Sequence, residues 1–202
     1  MNKLGKKSKR NTGMTYVELI VVLSIFSVMT SVILFNYQKF QAKVDIKNLA
    51  NDIAVKLVGA QKAAVSGAFP PPAQQSLIGS SWKPSYGLYF YPSTDNKSFI
   101  YFADANNDNL YQDPGCTGEC IEKVLITKNN IISSVSVVYQ NDPTNYNLAD
   151  VTLTFTRPNS GVVVRSSATL NPGISYIIIS LSSPQGINAQ IKVFPSGRIQ
   201  IS

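Results

Sequence analysis

Three oxygen-bearing side chains at alternate positions form the part of the sequence best suited to hold a metal ion: Asp104, Asn106 and Asp108. Such alternation makes the first half of a calcium loop of EF-hand type. The glycine and glutamate of its second half are missing, since Asn109 and Gly115 stand in their places. Asp and Asn also favour turns without a metal, because their side chains bond to nearby backbone amides. A calcium loop and a plain turn are therefore both open.

The sequence contains no histidine, and this removes most of the familiar chemistry of enzymes. Ser-His-Asp sites, Cys-His sites and histidine-ligated metal centres are excluded, and two cysteines are too few for a four-thiolate zinc site. Asp104 and Asp108 could be imagined as a catalytic carboxylate pair, but an Asn-rich turn does not form a pocket. We therefore expect a protein that is not an enzyme and has no cofactor, apart from the calcium alternative.

The dominant element of the sequence is an apolar run of 22 residues, from Met14 to Phe35, whose one carboxylate is Glu18. A helix of that length rises about 33 Å, which matches the hydrocarbon thickness of a bilayer. Five basic residues and no acid precede the run, namely Lys3, Lys6, Lys7, Lys9 and Arg10. By the positive-inside rule, the N-terminus lies in the cytoplasm and everything after Lys39 lies outside. The sequence predicts a single-pass protein of the cytoplasmic membrane.

Two cysteines, Cys116 and Cys120, flank three residues in the part that the topology places outside the membrane. Three residues can turn back far enough to bring two Cα atoms within bridging distance, and disulfides persist in that compartment. We predict a disulfide that acts as a local clip, because its small ring stabilises less than a long-range bridge. The alternatives are two free thiols or a redox pair, and no C-x-x-C spacing supports the redox pair.

The start of the apolar run differs from an ordinary secretory signal, in which the cleavage site follows a shorter apolar region. Here Gly13 lies between the basic stretch and the apolar run, and Glu18 is the fifth residue after it. A carboxylate one turn into an apolar helix costs at least ~2.5 kcal/mol in lipid, so it should have a partner. The alternative is that Glu18 lies hydrated in the headgroup region.

The basic leader, Gly13, the fifth-position Glu18 and the uninterrupted apolar run together resemble the class III signal of type IV pilins and type II secretion pseudopilins. The resemblance implies that a prepilin peptidase cuts between Gly13 and Met14 and methylates the new amino group of Met14. It also implies that Glu18 assists docking in a filament, where it would neutralise the amino group of a neighbouring copy. Met14 departs from the family, in which phenylalanine is commonest at that place.

After Lys39 the apolar residues thin to a stripe with helical spacing: Phe40, Val44, Leu49, Ile53, Leu57, Ala60 and Ala64. This spacing predicts a helix with one apolar face. Gly67 and three prolines from Pro70 onward end it. We predict one helix from about residue 15 to 66, its first half in lipid and its second half on a globular head. The chain then divides into leader 1–13, membrane and assembly helix 14–38, amphipathic helix 39–68 and β-rich head 69–202.

The head contains nine short runs rich in β-branched and aromatic residues: 87–91, 99–103, 124–126, 131–139, 151–156, 161–165, 175–181, 188–194 and 198–202. Several alternate with period two, which predicts antiparallel strands. One face of the sheet must cover the helix stripe. We therefore predict an α+β fold with the helix laid across a sheet.

The head also has motifs of its own, in the order Tyr86-Gly87-Leu88, then 100–108, 122–125 and 194–199. They resemble the head of GspH/FimT-type minor pseudopilins, in which a strand runs into a D-x-N-x-D turn and the chain closes with a Ser-Gly-Arg hairpin. The chain departs from that pattern at Asn109, at the cysteine loop and over residues 138–150.

The charge of the chain is concentrated in its leader. The net charge is +7, but without the five leader residues 13 basic residues face 11 acidic ones, a balance of +2. That is a weak field for capturing a polyanion. Some pilins similar in fold bind DNA during uptake through a cationic strip near the C-terminus. On that resemblance the candidates for DNA binding are Arg157, Arg165, Lys192 and Arg198.

The leading hypothesis is a minor pilin or pseudopilin, assembled into a type II secretion pseudopilus or a type IV pilus after cleavage. The resemblance implies the partners: other pilins, the prepilin peptidase, an inner-membrane assembly platform and, before assembly, membrane lipid. The alternative hypothesis is a DNA-binding minor pilin for natural transformation.

Overall fold

The computed structural model describes residues 13–111, 115–158 and 161–202. The chain forms two compact units, of which the first ends at Gln41 and the second covers Ala42–Ser202. The predicted leader, apart from Gly13, lies outside the described residues.

One long helix, α1 (Tyr16–Ser66, 51 residues), occupies the predicted range to within one residue. It begins after Thr15, whose Oγ1 accepts a hydrogen bond from the N–H of Glu18 at 3.3 Å. It ends at Gly67, which has a φ of +70°, a value that glycine adopts without steric cost. There the N–H of Gly67 donates to the carbonyl of Ala64, and that of Ala68 to Ala63. This pair of bonds is a Schellman motif, which satisfies the last carbonyls of the helix.

The second half of α1 buries one face, made of Ala42, Ile46, Ala50, Ile53, Leu57, Ala60 and Ala64. The predicted stripe is confirmed at its last four positions. It is wrong at Phe40, which is 64% exposed, whereas Val44 and Leu49 are half-buried. The prediction missed the buried positions Ala42, Ile46 and Ala50, because it began the stripe at Phe40, which is out of phase with the buried face.

A short helix and ten strands follow within the described residues. They are α2 (Pro72–Gln75), β1 (Ser85–Phe90), β2 (Ser98–Ala103), β3 (Cys120–Leu125), β4 (Ile131–Tyr139), β5 (Asp142–Leu148), β6 (Val151–Thr156), β7 (Val162–Arg165), β8 (Ile174–Ser182), β9 (Asn188–Val193) and β10 (Ile199–Ile201). All nine predicted strands are present, and β5 was not predicted.

The strands form two five-stranded antiparallel sheets, where the sequence predicted one. Sheet A has the order β3-β2-β1-β6-β7, and sheet B has the order β10-β9-β8-β4-β5. Residue periodicity identifies strands but not their partners, so the second sheet could not be read from it. The α+β class is confirmed, and the single sheet is corrected to two.

One hydrophobic core joins the second half of α1 to both sheets. Leu57 of α1, Phe155 of sheet A and Ile179 of sheet B all belong to it and are fully buried. Burial of each such side chain contributes about 1.5–3 kcal/mol. The core therefore holds this part of the helix against the head.

A second, smaller core lies on the other face of sheet A. It is made of Tyr89, Tyr91, Ile100, Phe102, Tyr111 and Cys120. Strand β1 alternates between the two cores, because Leu88 and Phe90 belong to the first. Tyr111 and Cys116, which lie between β2 and β3 in sequence, thus pack onto this face of the sheet.

Candidate functional site

The bond between Gly13 and Met14 lies ahead of α1 in an exposed segment. Met14 is 61% exposed, and a methyl group built on Gly13 would meet no atom within 4 Å. Since α1 begins at Tyr16, neither residue is part of the helix. Exposed segments outside regular structure are the preferred sites of proteolysis.

Glu18 lies in the first turn of α1, where its position has two consequences. Thr15 and Glu18 have the T-x-x-E spacing of a capping box, and an acid in the first turn interacts favourably with the helix dipole. Thr15 accepts the N–H of Glu18, whereas the Glu18 carboxylate has no partner among the described residues. Sequence reasoning missed Thr15, although this spacing signals it.

The first part of α1 is exposed and apolar on every side. Its most apolar window of 18 residues has a mean hydropathy of 2.4, and none of that window is buried. Two of its hydroxyl groups, on Ser24 and Thr30, donate to the carbonyls of Val21 and Phe26 in the preceding turn. Polar groups satisfied in this way require no water. The helix is long and apolar enough to cross a membrane.

The three candidate calcium ligands form a hydrogen-bonded turn after β2. Asn106 Oδ1 accepts the N–H of Asp108 at 2.9 Å, and Asp108 Oδ1 accepts the N–H of Leu110 at 2.8 Å. Asp104 Oδ2 accepts the N–H of Asn109 at 3.0 Å. In the described part of the chain, no group of three or more His, Cys, Asp or Glu side chains is placed to hold a metal ion. These bonds explain the turn without an ion, and calcium stays an untested prediction.

Glu119, which sequence reasoning did not single out, supports the same turn. Its Oε1 accepts the N–H groups of Ala105 at 2.8 Å and Asn106 at 3.3 Å. Burial raises the pKa of the Glu119 carboxyl, and the charges of Asp104 and Asp108 raise it further. Burial is also the main cause of the raised pKa of Asp104. The turn therefore brings together the carboxylates of Asp104, Asp108 and Glu119, whose negative charges repel one another.

Cys116 and Cys120 are joined by a disulfide, and their Cα atoms are 5.0 Å apart. The bridge places Glu119 inside a small closed ring. Cys120 is buried with Tyr89 and Phe102 in the second core, and Cys116 packs against that core. The disulfide therefore restricts the position of Glu119, whose carboxylate supports the turn, and it holds Cys116 against the second core.

Two of the four DNA-binding candidates are brought together by aromatic rings on sheet B. Lys192 Nζ lies 5.1 Å from the ring centroid of Tyr176, and Arg198 Cζ lies 3.8 Å from that of Phe194. The two rings are 5.5 Å apart. Lys192, Tyr176, Phe194 and Arg198 thus form a continuous row, which we call the cation-aromatic row. Tyr176 and Phe194 were missed, because their pairing depends on the register of β8 and β9.

The other two candidates belong to sheet A. Arg165 ends β7, where it pairs with Thr152. Arg157 follows β6, and its guanidinium lies close to Gly67 at the end of α1, since a Cβ built on Gly67 would be 2.8 Å from Arg157 Nη1. A cation at the C-terminus of a helix is favourable because of the helix dipole. Arg157 thus has a structural explanation of its own.

The head motifs lie at the predicted places in the fold. Strand β2 runs into the turn at Asp104, and Gly197 lies in the hairpin between β9 and β10, where its N–H donates to Phe194. Gly87 lies opposite Phe102 in β2. A Cβ on Gly87 would be 2.7 Å from the Phe102 ring, which explains the glycine.

No family model, no curated protein and no solved structure matches this chain. A long apolar N-terminal helix whose second half packs on antiparallel sheets is consistent with a pilin-like fold.

Proposed function

We propose that this chain is a minor pilin or pseudopilin, a structural subunit without catalytic activity that assembles into a type II secretion pseudopilus or a type IV pilus. The observation that carries the proposal is α1 itself. Its first part is apolar and exposed on all sides, and its second part supplies one face of the core of the head. One helix thus offers both a membrane anchor and a part of the folded head.

The steps before assembly follow from the segment around Gly13. The precursor is held in the cytoplasmic membrane with its basic leader inside. A prepilin peptidase hydrolyses the exposed bond between Gly13 and Met14, which frees the amino group of Met14, and this group is then methylated. The mature chain keeps a cation at its first residue and a carboxylate at Glu18.

In this proposal the carboxylate of Glu18, which has no partner in the described part of the chain, favours the filament over the membrane. Lipid tails are as apolar as packed helices, so the hydrophobic effect alone does not draw α1 out of the bilayer. A carboxylate near the end of the helix costs at least ~2.5 kcal/mol in lipid, and pairing with the Met14 ammonium of a neighbouring subunit removes that cost. The partners of this step are other pilins and an inner-membrane assembly platform.

Replacement of Glu18 by glutamine tests this role, because it keeps the shape of the side chain and removes its charge. We expect Glu18→Gln to be processed normally but to be incorporated into sheared filaments at about a tenth of the wild-type amount or less, a factor that corresponds to about 1.4 kcal/mol. Quantitative immunoblots of the filament and membrane fractions measure this.

Thr15→Ala is the matched control, because it removes the cap of α1 and keeps the carboxylate. We expect it to be incorporated far better than Glu18→Gln. If Glu18→Gln is incorporated like the wild type, the proposed role of Glu18 is wrong, and if Thr15→Ala is impaired to the same degree as Glu18→Gln, Glu18 has no role beyond the start of the helix.

A second candidate function, DNA binding during uptake, is favoured by the cation-aromatic row. Aromatic rings and cations side by side are how proteins hold single-stranded nucleic acid without sequence preference. The test is binding of a labelled single-stranded oligonucleotide by the full-length protein in detergent at several salt concentrations. Lys192→Glu with Arg198→Glu should weaken binding and flatten its salt dependence, and Lys83→Glu should not. Equal binding by all variants would remove this candidate.

A further inference from the structure

A cavity of about 340 Å³ lies between the β4–β5 hairpin and the segment 169–172 that precedes β8. Its apolar lining includes Val137, Leu148 and Leu170, which all belong to the larger core or pack against it. Cavities of about 300–1,000 Å³ with an apolar lining and a few polar groups are the usual sites for small molecules. None of the residues that line this cavity within the described chain belongs to α1, so it is separate from the helix that carries the proposed function.

Two tyrosine rings form the aromatic part of the lining. The ring centroids of Tyr139 in β4 and Tyr146 in β5 are 5.6 Å apart, and the ring planes differ by 61°. Tyr139 Oη accepts a hydrogen bond from the N–H of Asn171 at 3.2 Å, and Tyr146 Oη donates to Asp142 Oδ2 at 2.5 Å. Both rings are thus held at their polar ends. The ring of Tyr146 is accessible, since the residue is 45% exposed.

Asp142 gives the cavity a negative charge. Its Oδ1 accepts the N–H of Thr144 at 2.9 Å and its Oδ2 accepts the hydroxyl of Tyr146, and these bonds lower the pKa of the carboxyl. Within the described chain, Asp142 makes no ion pair and no Lys or Arg lines the cavity. Arg165 lines a separate, neighbouring cavity. The charge of Asp142 is therefore left for a cationic ligand.

We propose that this cavity binds a small organic cation, an alkylated ammonium of the size of choline, against the rings of Tyr139 and Tyr146 and beside the carboxylate of Asp142. We call these three residues the tyrosine site. The face of an aromatic ring attracts a cation within about 6 Å of its centroid, and quaternary ammonium ligands are commonly recognised in this way. The methyl groups of such a ligand suit the apolar lining, because they need no hydrogen bonds.

The contacts of Asp142 favour an alkylated ammonium over other ligands. Both carboxylate oxygens already accept a hydrogen bond, so what remains for a ligand is chiefly the negative charge. An alkylated ammonium uses that charge and has no N–H that requires an acceptor, whereas the hydroxyl groups of a saccharide do require acceptors. A calcium ion takes about six to eight oxygen ligands, and the described lining has a single carboxylate.

Two ligands that differ in charge and share a shape test the proposal in the unmodified protein. They are choline and its neutral isostere 3,3-dimethylbutan-1-ol, in which a carbon atom takes the place of the nitrogen. The full-length protein is prepared in a polyoxyethylene detergent, which contains neither an ammonium nor a sugar, and the methyl groups of its leucines and valines are labelled for NMR. Choline should shift the signals of Leu148 and Leu170 saturably, but not that of Leu57 in α1. The neutral isostere should need at least about a tenfold higher concentration.

Substitutions identify the groups that bind the ligand. Tyr146→Leu removes an accessible ring and should weaken choline binding about fivefold, whereas Tyr146→Phe keeps the ring and should stay within about twofold of the wild type. Asp142→Asn removes the charge with little change in shape and should also weaken binding about fivefold. Asp52→Asn is the matched control, because Asp52 is an exposed residue of α1 that does not line this cavity. It should bind choline like the wild type.

The proposal is overturned if choline produces no saturable shift of the two leucine signals, or if the neutral isostere shifts them at the same concentrations as choline. A shift with glucose and none with choline would assign the cavity to a saccharide and contradict the proposal as well.

Phosphocholine distinguishes two sources of the cation once choline is found to bind. Binding as tight as that of choline would point to a lipid headgroup, and binding at least about tenfold weaker would point to a free ammonium compound, because the phosphate is repelled by Asp142. Either result keeps the ammonium as the group that the tyrosine site recognises.

The outcome is independent of the proposed function, because the experiment uses the purified protein and no filament. A chain that never enters filaments can still bind choline at the tyrosine site. A chain that enters filaments and does not bind choline would leave the proposed function intact and overturn this inference alone.

Discussion

At the scale of single residues, the carboxylate of Asp104 in the head and that of Glu18 in α1 differ in their exposure to solvent. Asp104 is fully buried, and its Oδ2 accepts hydrogen bonds from Ser85 and Asn109, whereas its Oδ1 has no hydrogen-bond partner among the described residues. Glu18 is exposed in the first turn of a helix. Burial of the Asp104 carboxylate lowers stability, but its hydrogen bonds hold the turn. The exposed carboxylate of Glu18 is accessible to another molecule.

This difference predicts how the stability of the head depends on pH. Burial raises the pKa values of Asp104 and Glu119, so the folded state holds these protons more tightly than the unfolded state. Their contribution to the free energy of unfolding is therefore most favourable below the ordinary pKa values, near 4, and is lost as pH rises through the raised values.

Urea unfolding of the full-length protein in detergent, followed from pH 4 to pH 7, measures this effect. Asp104→Asn should flatten the fall in stability over that range, since it removes one of these two carboxyls with a raised pKa. Asp142→Asn is the control, because the pKa of the exposed Asp142 is lowered rather than raised by its bonds to Thr144 and Tyr146. An unchanged profile in Asp104→Asn would contradict the assignment.

The disulfide gives a second prediction at this scale. Mass spectra of the protein under reducing and non-reducing conditions should differ by two hydrogens. The double variant Cys116→Ser with Cys120→Ser should lose about 2 kcal/mol of the free energy of unfolding, as expected for so short a ring, and should still fold. Identical masses under the two conditions would show two free thiols.

At the scale of elements, the glycine of β1 shows how closely the strands of sheet A pack. An added Cβ at Gly87 would lie 2.5 Å from the carbonyl oxygen of Leu153 in β6 and 2.7 Å from the Phe102 ring in β2. The carbonyl belongs to a paired strand and cannot move cheaply. The glycine is thus fixed by its neighbours on both sides.

Gly87→Ala should lower the free energy of unfolding by about 1–3 kcal/mol, the usual cost of overpacking. Urea denaturation measures the change, with Gly79→Ala as the control that should stay within about 0.5 kcal/mol of the wild type. A Gly87→Ala variant as stable as the wild type would show that β1 and β6 can separate at this point.

The elements that were predicted from the sequence are those whose signal is local. The helix period and the Gly67 stop placed α1, and runs of β-branched residues placed nine strands. Strand β5 was missed because its sequence, DPTNYNL, is rich in residues that disfavour strands and is tolerated only at the edge of sheet B.

Features that depend on pairing between distant residues were not predictable in this way. The division into two sheets, the contact of Glu119 with Ala105 and the cation-aromatic row all require the register of strands or loops far apart in sequence. Among the candidate site residues, Gly13, Met14 and Glu18 could be named from sequence because their pattern is contiguous.

At the scale of the whole molecule, one chain combines a membrane-capable helix with a head that has its own core. The apolar first part of α1 is exposed, whereas most of the large apolar side chains of the head lie in two cores. The function that we propose, in which a subunit moves from a membrane into a filament, requires this combination, and it assigns to the carboxylate of Glu18 the pairing that favours the filament.

The mass of the full-length protein extracted from membranes tests the proposed function most directly. In cells that possess a prepilin peptidase, we predict a mature chain that begins at Met14 and carries a methyl group on its amino terminus. A chain that still begins at Met1 in such cells, or a product found only in the water-soluble fraction, would contradict the proposal.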